Sequence, residues 1–409
     1  MALYKLNNKT AFVAFPNVCP RSMVDAGTLV KYLKVNGWGI SYDLRKADMI
    51  LLGACGFSKL KEDQSMEYLS VIKRKNRDSI IIVFGCLPGI NEKRLLDQFN
   101  VIPISPKCLE KLDEIIGAST KLQQIINPIS NNDYKDALTD EMTLFDNLYV
   151  KLRLSIKHPF HALSLISFGN KVKPLDTRYG SVFNVRISNG CREKCTYCAI
   201  KNAYGTLNSK PLETIIQEFR SGLMRGYSIF RLVAGDVGSY GQDIEINIHD
   251  LLKNIFDNKE NYRIIWDDFN PKWLIKYFPE LLEILERNAH KLGYVGFPIQ
   301  SGSEKILELM KRGYTIEDIK KCMVILKQAL PELDISTHIL IGFPGETERD
   351  FVDTVNFCKD INFSNIQVYT YSDRPGTLAA QMPIKIPEKI KAKRVREFRL
   401  IFREISTIV

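Results

Sequence analysis

The sequence predicts an α/β protein, and three observations support this fold class. Short apolar segments alternate with segments of helical periodicity through the N-terminal region, which is typical of strands joined by crossover helices. One of these segments, Ser79 to Phe84, is a β-branched run, as in a strand that is buried on both faces of a parallel sheet. The chain has 409 residues, which is long enough for two or more domains.

The N-terminal elements follow one another in a βαβαβ order. We expect strands over Lys9 to Phe15, Met49 to Leu52 and Ser79 to Phe84, with helices over Ser22 to Asn36 and Lys59 to Arg74. This order predicts a parallel sheet flanked by helices.

Three cysteines follow a further predicted strand, Ser181 to Ile187. Cys191, Cys195 and Cys198 have the spacing C-x3-C-x2-C, which supplies three thiolates and no fourth. A cubane iron–sulfur cluster normally takes four thiolates, so a loop with three leaves one iron open to an exogenous ligand. This arrangement resembles that of radical S-adenosylmethionine (SAM) enzymes, in which the open iron chelates SAM and an electron from the cluster cleaves the sulfonium.

A structural zinc site with a distant fourth ligand is the alternative interpretation of this loop. Zinc sites usually combine one C-x2-4-C pair with a second pair of Cys or His residues. The candidate ligands further along the chain are unpaired: His249, His290, Cys322, His338 and Cys358. Together with Tyr197, an aromatic residue just before the last cysteine, this favours the iron–sulfur interpretation.

A second set of three cysteines lies just past the carboxyl ends of the predicted N-terminal strands. Cys19, Cys55 and Cys86 follow the first, second and third of these strands. Loops at the carboxyl ends of parallel strands converge on one crevice, where α/β proteins bind ligands. The three thiolates could therefore hold a second cluster, again with one iron open.

Buried cysteine is also a common small core residue, which is the alternative for each member of this set. Three cysteines at equivalent positions, two of them next to glycines that let backbone approach closely, favour ligation. Cys108, Cys322 and Cys358 have no such context, and we expect them to be core or surface residues.

Composition restricts the class of protein. No apolar run reaches the ~18–20 residues that span a bilayer, and Met1 to Thr10 has no apolar signal core. We therefore expect a cytoplasmic protein with no membrane partner. Nine cysteines in an unexported chain argue against a disulfide framework. The net charge of +10 suits a polyanionic partner, but it is spread widely, so a solvated basic surface is the default explanation.

Further segments make the chain similar to the radical SAM methylthiotransferase family. Three segments around the N-terminal cysteines support this resemblance: 19–25, 47–65 and 85–87. Four others support it in the second half of the chain: 234–243, 298–314, 338–348 and 371–377. The N-terminal segments look closest to the branch that modifies an aspartate of a ribosomal protein, whereas the other main branch modifies adenosine in transfer RNA.

The resemblance implies two [4Fe-4S] clusters, each with three cysteine ligands, and SAM as cofactors. The catalytic cluster would be held by Cys191, Cys195 and Cys198, and the auxiliary one by Cys19, Cys55 and Cys86. In such enzymes the clusters face each other across the active site. One SAM methylates a sulfur carried by the auxiliary cluster, and another yields the radical that removes a hydrogen from an unactivated carbon.

Motif position within the family also implies which residues lie near SAM. The expected cofactor-binding residues are Tyr197, Ala234, Gly235, Asp236, Gln300, Ser301, Ile341, Gly342 and Glu346. The family commonly has a Pro and an Arg-Gly pair after the three cysteines, and here those places are occupied by residues 199–201 and 203–205. Because these residues differ from the family pattern, the resemblance does not determine the substrate preference of this segment.

The resemblance implies four regions along the chain. We expect a flavodoxin-like parallel sheet domain with the auxiliary cluster over residues 1–125, and a partial (β/α)6 radical SAM barrel over residues 178–383. Residues 126–177 are either a helical linker or a substrate-recognition insert. Residues 384–409 read as a basic amphipathic helix with no alternating strands after it, so the family's C-terminal β-barrel is expected to be absent. That helix could contact nucleic acid or present a solvated face.

We expect an enzyme that inserts sulfur, as a methylthio group, at an unactivated C–H carbon of a peptide or protein side chain. Two features favour a peptide or protein substrate: the amino-acid sequence of the N-terminal segments and the expected absence of the C-terminal β-barrel. The partners would be a reducing electron donor of the flavodoxin or ferredoxin type and a source of sulfur.

Three alternatives stay open at this point. Methylthiolation of a transfer RNA adenosine is supported by the basic charge, although RNA recognition also needs stacking aromatic residues. A two-cluster radical SAM enzyme could instead modify peptides without transferring sulfur. A non-catalytic iron–sulfur protein could relay sulfur or electrons, but the intact SAM-side motifs argue against it.

Overall fold

The protein is described from a computed structural model. The structure describes residues 9–16, 19–76, 78–125, 142, 144–159 and 181–408. The chain is divided into two compact units. Unit 1 consists of Met1–Pro159, Ala199–Gly205 and Arg374–Gly376. Unit 2 consists of Phe160–Cys198, Thr206–Asp373 and Thr377–Val409.

Unit 1 contains a parallel sheet of five strands. They are β1 (Thr10–Ala14), β2 (Gly39–Ile40), β3 (Met49–Gly53), β4 (Ile80–Phe84) and β5 (Ile102–Ile104). The strands lie in the order β2-β1-β3-β4-β5, and every pairing is parallel. This is the strand order of flavodoxin-like folds, so the fold predicted for this region is confirmed. The sequence pattern missed β2 and β5, which are only two and three residues long.

The described helices of unit 1 are α1 (Pro20–Val35), α2 (Lys59–Lys75), α3 (Cys86–Gln98), α4 (Glu110–Ile116), α5 (Leu144–Lys157) and α6 (Ile200–Tyr204). Helix α5 lies in the segment that we expected to be a linker or an insert. The rest of that segment, including most of residues 126–143 and all of 160–177, lies outside the described residues.

Both faces of this sheet are covered by apolar side chains. Along β1, Phe12 and Ala14 belong to one buried cluster, whereas Ala11 and Val13 belong to another. Strands β3 and β4 alternate between the same two clusters. Since successive side chains of a strand point to opposite faces, the sheet is buried on both sides, as the β-branched run predicted.

Unit 2 contains a parallel sheet of seven strands. They are β6 (Phe183–Arg186), β9 (Ile229–Val233), β10 (Arg263–Trp266), β11 (Leu292–Gly296), β12 (Asp334–Ile341), β13 (Asn365–Thr370) and β14 (Ser406–Ile408). Strands β6 and β9 to β13 lie side by side in chain order, and all pairings are parallel. Two short strands, β7 (Ser188–Asn189) and β8 (Asn208–Ser209), form an antiparallel pair. The predicted α/β barrel portion is confirmed.

The described helices of unit 2 are α7 (Leu212–Met224), α8 (Ile248–Phe256), α9 (Pro271–Lys276), α10 (Phe278–Arg287), α11 (Glu304–Met310), α12 (Ile316–Ala329), α13 (Glu348–Ile361), α14 (Leu378–Gln381) and α15 (Glu388–Ile401). Their apolar sides and one side of the sheet form a single large core. Across the described part of the chain, no helix has the length and apolar character needed to cross a membrane.

The C-terminal segment differs from our expectation in two ways. Helix α15 is followed by β14, which pairs in parallel with β13, whereas we expected no strand after the helix. A strand of three residues is too short to show alternation in the sequence. Three basic residues of helix α15, Lys391, Arg394 and Arg399, are also buried, because the helix docks on the unit through Val395 and Phe398. The other three, Lys389, Lys393 and Arg396, are exposed, as expected for a solvated face.

Candidate functional site

The loop that carries Cys191, Cys195 and Cys198 lies at the carboxyl end of β6 in unit 2. Cys191 and Cys195 are half-buried and Cys198 is exposed. Gly190 has a φ of 69°, a conformation that favours glycine. Burial raises the pKa of the Cys191 thiol, and Asp236 and the other two cysteines add to the rise. The three thiols are therefore close enough to interact electrostatically.

Thr196 anchors the stretch between the second and third cysteine of this loop. Its amide donates to the carbonyl of Met310 at 3.1 Å, and its hydroxyl donates to the carbonyl of Leu309 at 2.9 Å. The amide of Ala379 in turn donates to the carbonyl of Thr196 at 2.9 Å. Helices α11 and α14 thus hold a loop that has no regular structure of its own.

Arg312 contacts the same loop from the segment after α11, and it is only 4% exposed. Its Nη1 donates to Cys195 Sγ at 3.3 Å. The other contacts of the guanidinium are all with oxygen atoms: the hydroxyls of Tyr197 and Tyr314, the carbonyl of Pro298 and the amide oxygen of Asn270. No sequence pattern indicates this contact, because Arg312 lies 117 residues from Cys195 along the chain.

Ala234, Gly235 and Asp236 directly follow strand β9. Ala234 is a buried core residue. A Cβ atom added at Gly235 would lie 2.2 Å from the carbonyl oxygen of Gly190, so a side chain at this position would collide with the start of the cysteine loop. Gly235 thus lets two backbone segments approach each other closely.

Asp236 is buried, and its carboxylate is bonded within unit 2. Oδ1 accepts the amide protons of Gly238 and Asn270 at 3.1 and 3.0 Å, and Oδ2 accepts the indole proton of Trp273 at 2.8 Å. Burial raises the pKa of Asp236 to about 6 against the effect of these hydrogen bonds. In this structure the carboxylate therefore fastens the loops after β9 and β10 to each other.

Gln300 and Ser301 lie beside β12. The backbone of Gln300 has a φ of 79°. Its amide donates to the backbone carbonyl of His338 at 2.8 Å, and its carbonyl accepts from the amide of Leu340 at 2.9 Å. The hydroxyl of Ser301 lies 3.2 Å from that of Thr354. Gln300 occupies a backbone conformation that is rare for residues other than glycine, which its pairing with β12 maintains.

Ile341, Gly342 and Glu346 lie at the end of β12 and in the loop after it. Gly342 has a φ of 81°, and its amide donates to Glu346 Oε2 at 2.9 Å. Arg394 of helix α15 donates to the same oxygen at 2.7 Å. The Lys391 side chain lies against Gly342 and donates to a backbone carbonyl at 2.9 Å. Helix α15 thus stabilises the loop through two buried cations, Lys391 and Arg394. From the sequence, this helix was expected to contact nucleic acid or to present a solvated face.

Tyr197, the remaining predicted cofactor contact, is half-buried beside a small apolar cluster. Its hydroxyl lies 3.4 Å from Arg312 Nη1, and burial raises its pKa. The phenol is therefore neutral and polar at the edge of the cysteine loop.

In unit 1, Cys19, Cys55 and Cys86 lie at the carboxyl side of β1, β3 and β4, which are neighbours in the sheet. Cys19 caps helix α1, and its Sγ accepts the amide proton of Ser22 at 3.4 Å. The amide of Cys55 donates to the hydroxyl of Ser65 at 3.0 Å. Cys86 is the first residue of α3.

These three thiols also interact with one another. Burial raises the pKa of Cys55 to about 11, and Cys19 adds to the rise. Burial raises the pKa of Cys86 as well, with contributions from Cys55 and Cys19 that Arg21 opposes. The structure therefore brings together three cysteines from three separate loops, with a guanidinium nearby.

A buried network of charges lies at the start of α2, which follows the Cys55 loop. Glu62 accepts hydrogen bonds from Arg94 and Arg374, and Asp63 accepts one from Arg94. His158 Nε2 lies 2.8 Å from Asp63 Oδ2. Because Arg94 belongs to α3, the network ties the helix after Cys55 to the helix that begins at Cys86.

Neither cysteine set forms a site for a single metal ion. Within the described ranges, no group of three or more His, Cys, Asp or Glu side chains is arranged around one point. A mononuclear zinc site needs its ligands around one ion, whereas a cubane cluster binds each thiolate through a different iron. Three cysteine thiols, each of which can bind a different iron, fit the donor set of a cubane cluster with one open iron.

A polar network on the sheet of unit 2 was not predicted from the sequence. Phe230 and Leu232 of β9 belong to the helix-side core, so Arg231 between them faces the opposite side. Arg231 is buried, donates to the hydroxyl of Tyr294 at 3.2 Å and pairs with Asp267 at 3.4 Å. A packed barrel interior carries branched apolar residues, so this face suits a polar ligand. Arg231, within the otherwise apolar strand β9, is the feature of the sequence that could have indicated this network.

His338 lies on β12 near this network. Its side chain is buried, its Nδ1 lies 4.0 Å from a carboxylate oxygen of Asp268, and its Nε2 has no hydrogen-bond partner among the described residues. Burial lowers the pKa of His338, so the imidazole is neutral near pH 7. It can therefore exchange a hydrogen bond with a bound group.

Two family descriptions match separate parts of the chain. Residues 185–358 match the Radical SAM superfamily, and residues 17–104 match an uncharacterized protein family, UPF0004. The first range includes the C-x3-C-x2-C loop, and the second includes Cys19, Cys55 and Cys86.

Curated relatives match nearly the whole chain. One is the ribosomal protein uS12 methylthiotransferase RimO of Chlamydia abortus, which is 28% identical over 95% of this chain and 77% of the relative. Another is the RimO protein of Desulforamulus reducens, which is 27% identical over 95% of this chain and 81% of the relative. The two family descriptions and these relatives together support a radical SAM methylthiotransferase, an enzyme of the radical SAM class.

A solved structure shares the fold of this radical SAM methylthiotransferase. The radical SAM methyltransferase TsrM of Kitasatospora setae, with cobalamin and a [4Fe-4S] cluster bound, aligns with a TM-score of 0.58. It is 14% identical, and the alignment covers 91% of this chain and 77% of that chain. At this identity the likeness concerns the fold alone.

Proposed function

We propose that this enzyme transfers a methylthio group to an unactivated C–H carbon of a peptide or protein side chain, and that a ribosomal protein is the substrate. The observation that carries the proposal is the presence of two separate three-cysteine sets, each at the carboxyl side of strands in its own sheet. SAM cleavage by itself needs only one such set, and the second set provides a place for a cluster that carries the sulfur to be transferred. The relatives are named for ribosomal protein uS12, which makes that protein the first substrate to test.

In unit 2, Cys191, Cys195 and Cys198 would hold a [4Fe-4S] cluster and leave one iron open for SAM. When bound, this cluster supplies the electron that cleaves the SAM sulfonium. The chain's own residues prepare the site for that chemistry. Gly235 lets the strand end approach the loop, and Arg312 places a positive charge beside Cys195.

The predicted SAM contacts divide into two groups. The carboxylates of Asp236 and Glu346 are already bonded to backbone amides, those of Gly238 and Asn270 for Asp236 and that of Gly342 for Glu346, so we assign them to shaping the loops that carry these amides. We assign the direct contacts to Tyr197, to the backbone around Gly342 and to the segment of Gln300 and Ser301.

In unit 1, Cys19, Cys55 and Cys86 would hold an auxiliary [4Fe-4S] cluster whose open iron carries the sulfur to be transferred. The mutual effect of these thiols on their pKa values supports a shared ligand. Arg21 would offset part of the negative charge of three thiolates. A sulfur source and an electron donor of the flavodoxin or ferredoxin type complete the reaction.

The burial of three basic residues of helix α15 favours a protein substrate over transfer RNA. Lys391, Arg394 and Arg399 of α15 are buried, and the first two bond to unit 2 itself. These three residues are therefore not available to contact phosphates, which leaves the helix fewer cations for nucleic-acid binding than its sequence suggests. The polar face around Arg231 and His338 provides hydrogen-bonding groups for a polar ligand instead.

Iron content tests the two-cluster part of the proposal. Anaerobically reconstituted wild-type protein should contain about eight irons per chain, whereas Cys55→Ala and Cys198→Ala should each contain about four. Cys108→Ala, which belongs to neither set, is the matched control and should match the wild type. A wild-type content of about four irons, lost only in Cys198→Ala, would contradict the auxiliary cluster.

Mass spectrometry of a defined reaction tests the transfer. Reconstituted protein, SAM, sulfide and a strong reductant are mixed with purified ribosomal protein uS12 from the same organism. We expect a methylthio gain on one side chain with the wild type and none with Cys55→Ala or Cys198→Ala. SAM cleavage without any gain would leave a radical SAM enzyme and refute the proposed substrate.

A further inference from the structure

Arg312 is a buried cation that lacks a carboxylate partner. No carboxylate within the described ranges lies within ion-pair distance of it, although the side chain is 4% exposed. Burying an unpaired charge is costly, and native structures normally supply a counter-ion. The buried carboxylate of Asp236 acts on Arg312 from beyond ion-pair distance, so the position has no negative group in direct contact with the guanidinium.

The hydrogen bonds of Arg312 identify one partner that can become negative. A guanidinium has five N–H donors, and here they meet five acceptors. Four are neutral oxygens, of which the nearest is the Pro298 carbonyl at 2.6 Å from Nη2. The fifth is Cys195 Sγ at 3.3 Å from Nη1. Cys195 is the only one of the five that becomes an anion when it ligates iron.

We infer that Arg312 is a positioning residue for the cluster, which holds the Cys195 thiolate and raises the reduction potential of the cluster bound there. This inference rests on the proposed function, because it requires a cluster on Cys191, Cys195 and Cys198. It adds a specific protein group that controls how readily the electron needed for SAM cleavage enters the site.

The direction of the effect follows from electrostatics. Reduction adds one negative charge to a cluster, and a positive charge with a hydrogen bond to a ligand sulfur stabilises the reduced form more than the oxidised form. The low dielectric around a buried guanidinium strengthens the effect. Removal of the charge must therefore shift the midpoint potential to more negative values.

The test is a redox titration of the reconstituted full-length protein, followed by electron paramagnetic resonance of the reduced cluster. The background is Cys55→Ala, so that only the cluster of unit 2 is observed. Arg312→Gln should shift the midpoint to more negative values, and Arg312→Lys, which keeps the charge, should restore part of the shift. Arg287→Gln, an exposed arginine on α10 in the same unit, is the matched control and should not move it.

A second variant addresses the same charge without removing the arginine. Asn270 accepts from Arg312 Nη2, and its own Nδ2 has no hydrogen-bond partner among the described residues. Asn270→Asp is nearly isosteric and gives the guanidinium a carboxylate counter-ion. The field of Arg312 at Cys195 is then partly cancelled, so the midpoint should again become more negative.

The outcomes separate this inference from the proposed function. A negative shift in Arg312→Gln and Asn270→Asp supports the role of Arg312. Where Arg312→Gln fails to fold or to take up iron, the midpoint of Asn270→Asp decides. Unchanged midpoints in the variants that hold a cluster overturn the role of Arg312 and leave the proposed function intact. A parent Cys55→Ala protein that takes up no cluster overturns the proposed function itself.

Discussion

Arg374 donates a hydrogen bond to the carboxylate of Glu62, although the two residues are 312 positions apart in the chain. Both side chains are almost fully buried, and both belong to unit 1. Glu62 lies in the first turns of α2, the helix that follows the Cys55 loop. The pair thus fastens a segment from the second half of the sequence to a helix beside the auxiliary cysteine set.

The Arg374–Glu62 pair should make a large contribution to stability. Glu62→Gln removes the buried carboxylate charge that accepts from Arg374, and breaking a buried pair in this way costs about 3–5 kcal/mol. We expect a clear loss in the denaturation midpoint of the full-length protein. Glu92→Gln, an exposed glutamate on α3, should have little effect. A double variant, Glu62→Gln with Arg374→Gln, should lose less than the sum of the single changes; additive losses would show that the residues do not interact.

Gly235→Ala should damage the cysteine loop of unit 2. The added methyl group would lie 2.2 Å from the Gly190 carbonyl, a backbone atom that cannot move without displacing Cys191. Overpacking of this kind costs about 1–3 kcal/mol. The measurement is iron uptake in a Cys55→Ala background, which should fall well below that of the parent. Full iron uptake with an unchanged spectrum would mean that the close approach at Gly235 is not needed.

Gly89→Ala should destabilise unit 1, against the trend of helix propensity. Alanine is favoured over glycine in a helix by about 1 kcal/mol, which alone would stabilise α3. The Cβ atom, however, would lie 2.5 Å from the Cα of Ala203 in α6. We expect a net loss of stability in thermal unfolding. Gly39→Ala is the control, because its nearest neighbouring atom is 3.8 Å away. A stabilised Gly89→Ala protein would contradict the close packing of α3 and α6.

Glu346 should make stability depend on pH. Burial raises its pKa to about 7 from an ordinary 4.5, against the opposing effects of the Gly342 amide and Arg394. The folded state then binds more protons than the unfolded state between pH 4.5 and 7, so this group lowers stability as the pH rises through that window.

The measurement is the difference in unfolding free energy between the wild type and Glu346→Gln across pH 4 to 8. Glutamine cannot ionise, so the difference should change by up to roughly 3 kcal/mol in favour of the variant as the pH rises. Glu283→Gln, which removes an exposed carboxylate on α10, should show no such trend. A difference that stays constant with pH would show that Glu346 has an ordinary pKa.

Much of the fold followed from local patterns in the sequence. The strands β1, β3 and β4 are continuous apolar runs because both faces of the sheet are buried. The two cysteine sets could be found because each thiol lies just past a strand or within one short loop. Strands β2, β5 and β14 were missed because they have three residues or fewer, and their pairing depends on neighbours that the local pattern does not show.

The features of the candidate site that could not be predicted from the sequence depend on contacts between residues far apart in the chain. Arg312 contacts Cys195 across 117 positions, and no local pattern indicates that contact. Asp236 and Glu346 were expected to bind the cofactor because of their motifs, but their oxygen atoms are used by backbone amides and, for Glu346, by Arg394. Lys391 and Arg394 looked like surface charges, since only the docking of α15 buries them.

The most direct test of the central proposal is mass spectrometry on cells that carry the wild-type gene, the Cys198→Ala variant or no gene. Ribosomal proteins, the remaining peptides and transfer RNA nucleosides are compared for a methylthio group. We predict a gain in ribosomal protein or peptide that requires wild-type Cys198. A gain found only in a nucleoside would contradict the proposed substrate, and no gain in any fraction would contradict sulfur transfer.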